Sequence, residues 1–117
     1  MAQPVVHFEI CGKDGNKSRE FYTGLFDWQF QLFGDADYGI VGPAAEKSIG
    51  GGVGCTPPGV EPYVTIYVQV DDLQAYLDKA ESLGGKTVLP PTPIPGVGHF
   101  AFLGDPEGVC IGLFKPQ

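Results

Sequence analysis

The order of predicted secondary-structure elements repeats once along the chain, and this repeat limits the possible folds more than any other feature. In residues 4–55 the alternating segment PVVHFEIC is followed by a helical segment, KSREFYTGLF, and by three strand candidates. In residues 62–115 the segment YVTIYVQV is followed by DDLQAYLDKAESLGG and by three more strand candidates. Alternation of apolar and polar residues predicts strands, and apolar residues at helical spacing predict helices. The sequence therefore predicts two modules, each with one strand, one helix and three further strands.

The segment between the modules, TPPGVEP, is rich in proline and glycine, which is typical of a connector. The whole chain has 117 residues, a length that suits one domain. We therefore predict a single domain over residues 1–117, in which the two modules are joined by this connector.

Composition excludes several classes of function. The formal net charge is −7, and the seven lysine and arginine residues are scattered, whereas nucleic-acid binding needs clustered cations. No apolar run approaches the roughly 20 residues that cross a bilayer, and the N-terminus MAQPVVHFEI lacks the pattern of a secretory signal. We expect a cytoplasmic protein with no nucleic-acid or membrane partner. The three cysteines have no C-x-x-C spacing, which argues against a disulfide framework and a structural zinc site.

Alternation also predicts which face of each strand packs beneath a helix. The more apolar face is assigned to the core, and it carries Val6, Phe8, Ile10, Val64, Ile66, Val68, Phe100, Phe102, Ile111 and Leu113. The opposite, mixed face carries His7, Glu9, Cys11, Thr65, Tyr67, Gln69, His99, Ala101, Cys110, Gly112 and Phe114. A mixed face in so small a protein is either exposed or forms the wall of a cavity, and two such faces closing on each other favour the cavity.

Six residues of the mixed face are predicted to bind a ligand: His7, Glu9, Thr65, Tyr67, His99 and Phe114. Histidine suits hydrogen bonding or acid–base work because its pKa lies near neutrality, and aromatic rings stack on planar ligands. Trp28 and Tyr38 are further aromatic candidates, although Trp28, just after the first helix, fits ordinary core packing. The other interpretation of His7 is a structural histidine, hydrogen-bonded within the sheet face.

The repeated order and three segments, SREFYTGLFDW, VDDLQAYLDKAESLGG and FLGDPEGVCIGLF, resemble the vicinal oxygen chelate superfamily. This superfamily includes glyoxalase I, extradiol dioxygenases and bleomycin-resistance proteins. The resemblance covers nearly the whole chain. It implies an α+β fold in which two βαβββ modules form a curved mixed sheet around a cleft, commonly in a homodimer. It also implies that the glycines of SIGGGVG let the wall of the cleft approach a ligand.

Metal-dependent members of that superfamily bind a divalent metal with four inward side chains, one on the first and one on the last strand of each module. Here the first-strand positions are His7 and Thr65, and the last strand of the second module has Gly112 where those enzymes carry glutamate. The last strand of the first module offers only Ser48 as an oxygen ligand. Since catalytic metal sites keep about three protein ligands, this set is too small.

We therefore expect a small-molecule-binding protein without a cofactor, which forms a homodimer and takes a small planar or apolar ligand in the cleft. The alternative is a metal-dependent lyase or dioxygenase in which His7, Glu9 and His99 hold the metal. Two imidazoles and one carboxylate are a set that non-haem iron sites use. This alternative requires His99 to approach the other two residues from a different strand.

Overall fold

The computed structural model describes residues 2–117. The first module contains β1 (Val5–Gly12), α1 (Gly15–Phe26), β2 (Gln31–Leu32), β3 (Tyr38–Val41) and β4 (Gly50–Cys55). The second contains β5 (Tyr63–Gln69), α2 (Leu73–Ser82), β6 (Lys86–Ile94), β7 (Gly98–Gly104) and β8 (Cys110–Pro116). The α+β class and the βαβββ order of both modules are therefore confirmed.

The chain forms two compact units, which we call the N-terminal unit (residues 7–65) and the C-terminal unit (residues 2–6 with 66–117). In the N-terminal unit the strand order is β2-β3-β4-β1, with β1 parallel to β4 and the other pairs antiparallel. In the C-terminal unit the order is β5-β8-β7-β6, with β5 parallel to β8 and the other pairs antiparallel. Each unit is thus built on a mixed sheet. The prediction of one domain over residues 1–117 stays a prediction.

An aspartate side chain caps the N-terminus of each helix. The Asp14 side chain accepts a hydrogen bond from the Lys17 backbone nitrogen at the start of α1 (3.1 Å). Asp72 accepts one from Ala75 at the start of α2 (3.0 Å). These side chains satisfy backbone donors that have no partner within the helix. No helix in residues 2–117 is long and apolar enough to cross a membrane.

The core of the C-terminal unit lies between α2 and the sheet. Its buried residues are Val70, Leu73, Leu77, Ala101 and Leu113, with Val68, Tyr76 and Leu103 packed around them. The assignment of Leu113 to the core is confirmed. Leu83 follows the last residue of α2, Ser82, and is 69% exposed. Val64, predicted as core, is 72% exposed.

The face assignment of β7 is wrong. In the register with β8, Ala101 pairs with Leu113, and both belong to the core beneath α2. Phe100 and Phe102 therefore lie on the opposite face of the sheet, where they pack against each other, while His99 shares the face of Ala101. The alternation rule put the larger side chains beneath the helix. The close packing of α2 accommodates the smaller alanine instead.

In the N-terminal unit an ion pair between the buried Arg19 and the exposed Asp37 holds α1 against the sheet. The Arg19 guanidinium contacts the Asp37 carboxylate at 2.8 Å and donates to the Val53 carbonyl oxygen at 3.0 Å. This arginine holds the pKa of Asp37 below its usual range. Beside it, Trp28 packs between Phe8 on β1 and Tyr22 on α1, with ring centroids 5.5 and 5.6 Å apart. Ordinary packing is therefore the correct interpretation of Trp28.

Truncation of Leu77, which is 1% exposed, tests the packing of α2. We expect Leu77→Ala to lower the free energy of unfolding by about 2–5 kcal/mol, because it removes buried methyl groups and leaves a cavity. Leu83→Ala, at an exposed position just beyond the same helix, is the matched control and is expected to change it by less than about 0.5 kcal/mol. Urea unfolding measures both. Equal losses in the two variants would contradict the placement of α2.

Candidate functional site

The candidate site begins on the mixed face of β1, where three alternating glycines of β4 leave room for a tyrosine. In the parallel register, His7, Glu9 and Cys11 pair with Gly50, Gly52 and Gly54. Tyr38 reaches across these glycines from β3, and a Cβ atom on Gly52 would overlap its hydroxyl group. The glycines thus accommodate a side chain of the protein itself, and that side chain reaches His7 and Glu9.

Four side chains form a connected set that we call the phenol–carboxylate network: His7, Glu9, Tyr38 and Tyr63. Tyr38 donates its hydroxyl proton to Glu9 Oε1 (3.1 Å), and Tyr63 donates to Glu9 Oε2 (2.9 Å). The Tyr38 hydroxyl oxygen also lies 2.9 Å from His7 Nε2. Glu9 is only 7% exposed, so these phenols replace water as the donors to its carboxylate.

Burial determines the ionisation of this region. It lowers the pKa of His7, an effect that the nearby Glu9 partly opposes. It raises the pKa values of Tyr38 and Tyr63, and Glu9 adds to both shifts. The pKa of the Cys11 thiol rises to about 11, mainly through burial. At neutral pH the imidazole is therefore uncharged, both phenols keep their protons, and Cys11 is a poor nucleophile.

A second group of side chains lies on the sheet face of the C-terminal unit opposite α2. We call it the aromatic face, and it consists of Tyr67, Phe100, Phe102 and Phe114. The rings of Tyr67 and Phe102 have centroids 5.5 Å apart, and Phe100 packs edge-on against Phe102 at 5.9 Å. The three phenylalanine side chains are each half-buried. This face therefore presents flat apolar surface in a fixed arrangement.

The structure distributes the six predicted ligand-binding residues over both units. His7 and Glu9 lie together in the phenol–carboxylate network, and Thr65 is buried in the same unit. Tyr67 and Phe114 belong to the aromatic face, with Gly112 pairing to Tyr67 between them. His99 is exposed and lies on the side of the sheet that carries Ala101, so its assignment to the mixed face is wrong.

Tyr63 was not among the candidates, and Tyr38 was only an aromatic alternative. The contact of each tyrosine with Glu9 joins residues far apart in sequence, which periodicity within one strand cannot reveal. One signal was available for Tyr38. Glycines at alternate positions of GGGVG leave one sheet face without side chains, and a large neighbour has to cover it.

The donor set does not fit the divalent metal of the related metal-dependent enzymes. His7 Nε2 and both Glu9 oxygens are within hydrogen-bonding distance of phenols, and β4 offers only Gly50 opposite His7. Ser48 precedes β4 and donates its hydroxyl proton to the Ala45 carbonyl oxygen (2.6 Å).

The last strand of the second module does not supply a ligand either. The position that carries glutamate in those enzymes is Gly112, and a Cβ atom there would overlap the Tyr67 ring. Within residues 2–117, no three or more His, Cys, Asp or Glu side chains are grouped so that they could hold a metal ion. Of the three residues in the alternative hypothesis, His7 and Glu9 lie together in the N-terminal unit.

Two open grooves lie elsewhere in the N-terminal unit. One, of about 440 Å³, is lined by Lys13, Asp14, Lys17, Ser18, Phe21 and Tyr22. The other, of about 360 Å³, is lined by Lys13, Thr56, Pro57, Pro58, Gly59, Val60 and Glu61. Neither groove is lined by any of the six predicted ligand-binding residues, and the cleft that the resemblance implies stays a prediction.

Comparison with known proteins identifies the class to which this arrangement belongs. A family model described as the Glyoxalase/Bleomycin resistance protein/Dioxygenase superfamily matches residues 5–113. The chain therefore belongs to this superfamily. A crystal structure of methylmalonyl-CoA epimerase from Mycobacterium tuberculosis superposes with a TM-score of 0.65 at 18% identity, covering 97% of this chain and 87% of the epimerase. That likeness confirms the fold.

Two curated relatives illustrate the range of proteins in which this fold occurs. "Putative glyoxylase CFP32" of Mycobacterium tuberculosis is 33% identical over 97 residues, which are 83% of this chain and 37% of the relative. The anthracycline biosynthesis protein DnrV of Streptomyces peucetius is 27% identical, over 92% of this chain and 45% of its own length. The chain thus spans less than half the length of these two relatives.

The lowered pKa of His7 predicts a pH dependence of stability. Below its usual value of 6.5, the unfolded chain takes up the His7 proton before the folded protein does. The free energy of unfolding therefore falls as the pH drops from 6.5 towards the lowered folded value. We expect His7→Gln to make this decline shallower, because the variant lacks the one proton that the unfolded chain takes up at His7. Urea unfolding at about pH 7.5 and about pH 5 measures the decline.

His99→Gln, which removes the other imidazole at an exposed position, is the control and is expected to keep the wild-type decline. If His7→Gln and the wild-type protein lost stability in parallel over this range, His7 would not be held as a neutral side chain in the folded protein.

Proposed function

We propose that this protein binds a small, flat, largely apolar molecule on the aromatic face, without a divalent metal ion. The observation that carries the proposal is the packing of Tyr67, Phe102 and Phe100 on the sheet face opposite α2. The half-buried rings of Phe100 and Phe102, held by fixed neighbours that include the buried Tyr67, offer stacking surface at a low cost in side-chain entropy. A planar aromatic compound buries the largest apolar area against such a face.

The names of related proteins support this class of ligand. DnrV is named for anthracycline biosynthesis, and anthracyclines contain flat fused rings. The superfamily description includes bleomycin-resistance proteins. An anthracycline is therefore a suitable first probe for this chain, and it stands for planar aromatic compounds as a class.

Of the six ligand-binding candidates, Tyr67 and Phe114 contribute directly to the aromatic face. His7, Glu9 and Thr65 remain candidate polar contacts of the N-terminal unit. The exposed His99, on the α2 side of its sheet, receives no role in this proposal. A homodimer and a cytoplasmic location also remain predictions.

Titration with a fluorescent anthracycline tests the aromatic face. We expect the wild-type protein to change the fluorescence of the probe, and Phe102→Leu to weaken binding about tenfold because a stacking ring is lost. Phe21→Leu is the matched control, since Phe21 is 61% exposed on α1 and lines the 440 Å³ groove. It is expected to bind like the wild-type protein.

Unfolding curves of both variants show that a change in binding is not a loss of folding. If Phe102→Leu is too unstable to assay, Phe114→Leu probes the same face. The proposal is wrong if the wild-type protein does not bind the probe, or if Phe21→Leu weakens binding and the variants of the aromatic face do not.

Metal analysis tests the metal-free part of the proposal. Purified protein is dialysed against iron, nickel, zinc or manganese in turn. We expect it to retain much less than one metal ion per protein molecule, because the donor atoms of His7 and Glu9 are already engaged in hydrogen bonds with the phenols. One bound equivalent that is lost in His7→Ala and kept in His99→Ala would favour the metal-dependent lyase or dioxygenase instead. The anthracycline titration is run with a chelator present, so its result is independent of this one.

A further inference from the structure

We propose that Tyr38 is a positioning residue for His7: because Tyr38 donates its proton to Glu9, it fixes the ring proton of His7 on Nε2. The three groups form a chain across the sheet, with Tyr38 Oη 3.1 Å from Glu9 Oε1 and 2.9 Å from His7 Nε2. The proposal concerns this chain of hydrogen bonds and not the aromatic face. It would hold even if the aromatic face bound nothing.

The direction of the hydrogen bonds follows from the number of protons available. An ionised carboxylate can only accept, and Glu9 has a phenol on each oxygen, Tyr38 at Oε1 and Tyr63 at Oε2. A phenol has one proton, so Tyr38 uses it towards Glu9 and can offer His7 only an oxygen lone pair. The 2.9 Å contact between Tyr38 Oη and His7 Nε2 is therefore satisfied only if Nε2 carries the hydrogen.

The surroundings of the ring agree with an uncharged imidazole. His7 is half-buried, and burial lowers its pKa more than Glu9 raises it. Tyr38, which contacts the ring, and Tyr63, which contacts Glu9, have raised pKa values and stay protonated.

This assignment has a consequence for recognition. With the proton on Nε2, the second ring nitrogen, Nδ1, is a hydrogen-bond acceptor. Any partner of Nδ1, whether from the protein or from a bound molecule, must donate an N–H or O–H group. Tyr38 therefore determines, without contacting that partner, that Nδ1 accepts a hydrogen bond and does not donate one.

Nitrogen-15 NMR of the imidazole ring tests the assignment directly. The chain has two histidines, so in the His99→Gln background every imidazole signal belongs to His7. At neutral pH we expect one pyrrole-type nitrogen, coupled to both ring carbon protons and therefore Nε2, and one pyridine-type nitrogen at Nδ1. We also expect the Nε2 proton to exchange slowly enough with water to be observed.

Two phenylalanine variants separate positioning from general structure. Tyr38→Phe removes the acceptor of the Nε2 proton, so this proton should exchange too fast to be seen. Tyr63→Phe removes the other phenol of Glu9 without touching the contact between Tyr38 and His7, so the signal should persist. Both variants are compared with the wild-type protein by circular dichroism.

The proposal is overturned if the wild-type proton lies on Nδ1, if both nitrogens share it, or if the ring is charged at neutral pH. The wild-type spectrum decides these points even if Tyr38→Phe does not fold. It is also overturned if a folded Tyr38→Phe keeps the slowly exchanging Nε2 proton. The samples for these measurements contain no ligand and no added metal, so the results are independent of the tests of ligand binding.

Discussion

The buried carboxylate of Glu9 is the constraint on which the candidate site depends. A carboxylate that is 7% exposed loses most of its hydration, and it is stable only if other donors replace the water. Tyr38 and Tyr63 supply one phenol proton to each oxygen. Those two hydrogen bonds use the only proton of each phenol. Tyr38 has no proton left for its contact with His7, so the imidazole has to donate the hydrogen in that contact.

Glycine makes a similar arrangement in each unit. In the N-terminal unit the Tyr38 ring covers Gly52 on β4, and in the C-terminal unit the Tyr67 ring covers Gly112 on β8. Each of these glycines is on the last strand of its module, and any larger residue would overlap the ring. Gly112 also takes the place of a glutamate in metal-dependent enzymes of the superfamily. Aromatic side chains thus fill, within each unit, space that a ligating side chain would need.

The two units differ in what their sheets present opposite the helix. The N-terminal unit presents a polar network in which imidazole, carboxylate and phenols bind one another. The C-terminal unit presents phenylalanine rings around Tyr67. The first arrangement is suited to recognising a hydrogen-bond donor and the second to stacking on a flat apolar surface. Both chemistries are common in sites for small organic molecules.

The sequence alone determined the order of elements and the presence of His7 and Glu9 on one face of β1, because these follow from local spacing. Only the tertiary structure decided the faces of β7. Every residue from Phe100 to Leu103 is apolar, so alternation could not show which side α2 covers, and close packing selected Ala101. The contacts of Tyr38 and Tyr63 with Glu9 likewise span 29 and 54 residues along the chain. These contacts depend on how β3 and β5 are placed relative to Glu9 on β1, which no pattern within a single strand encodes.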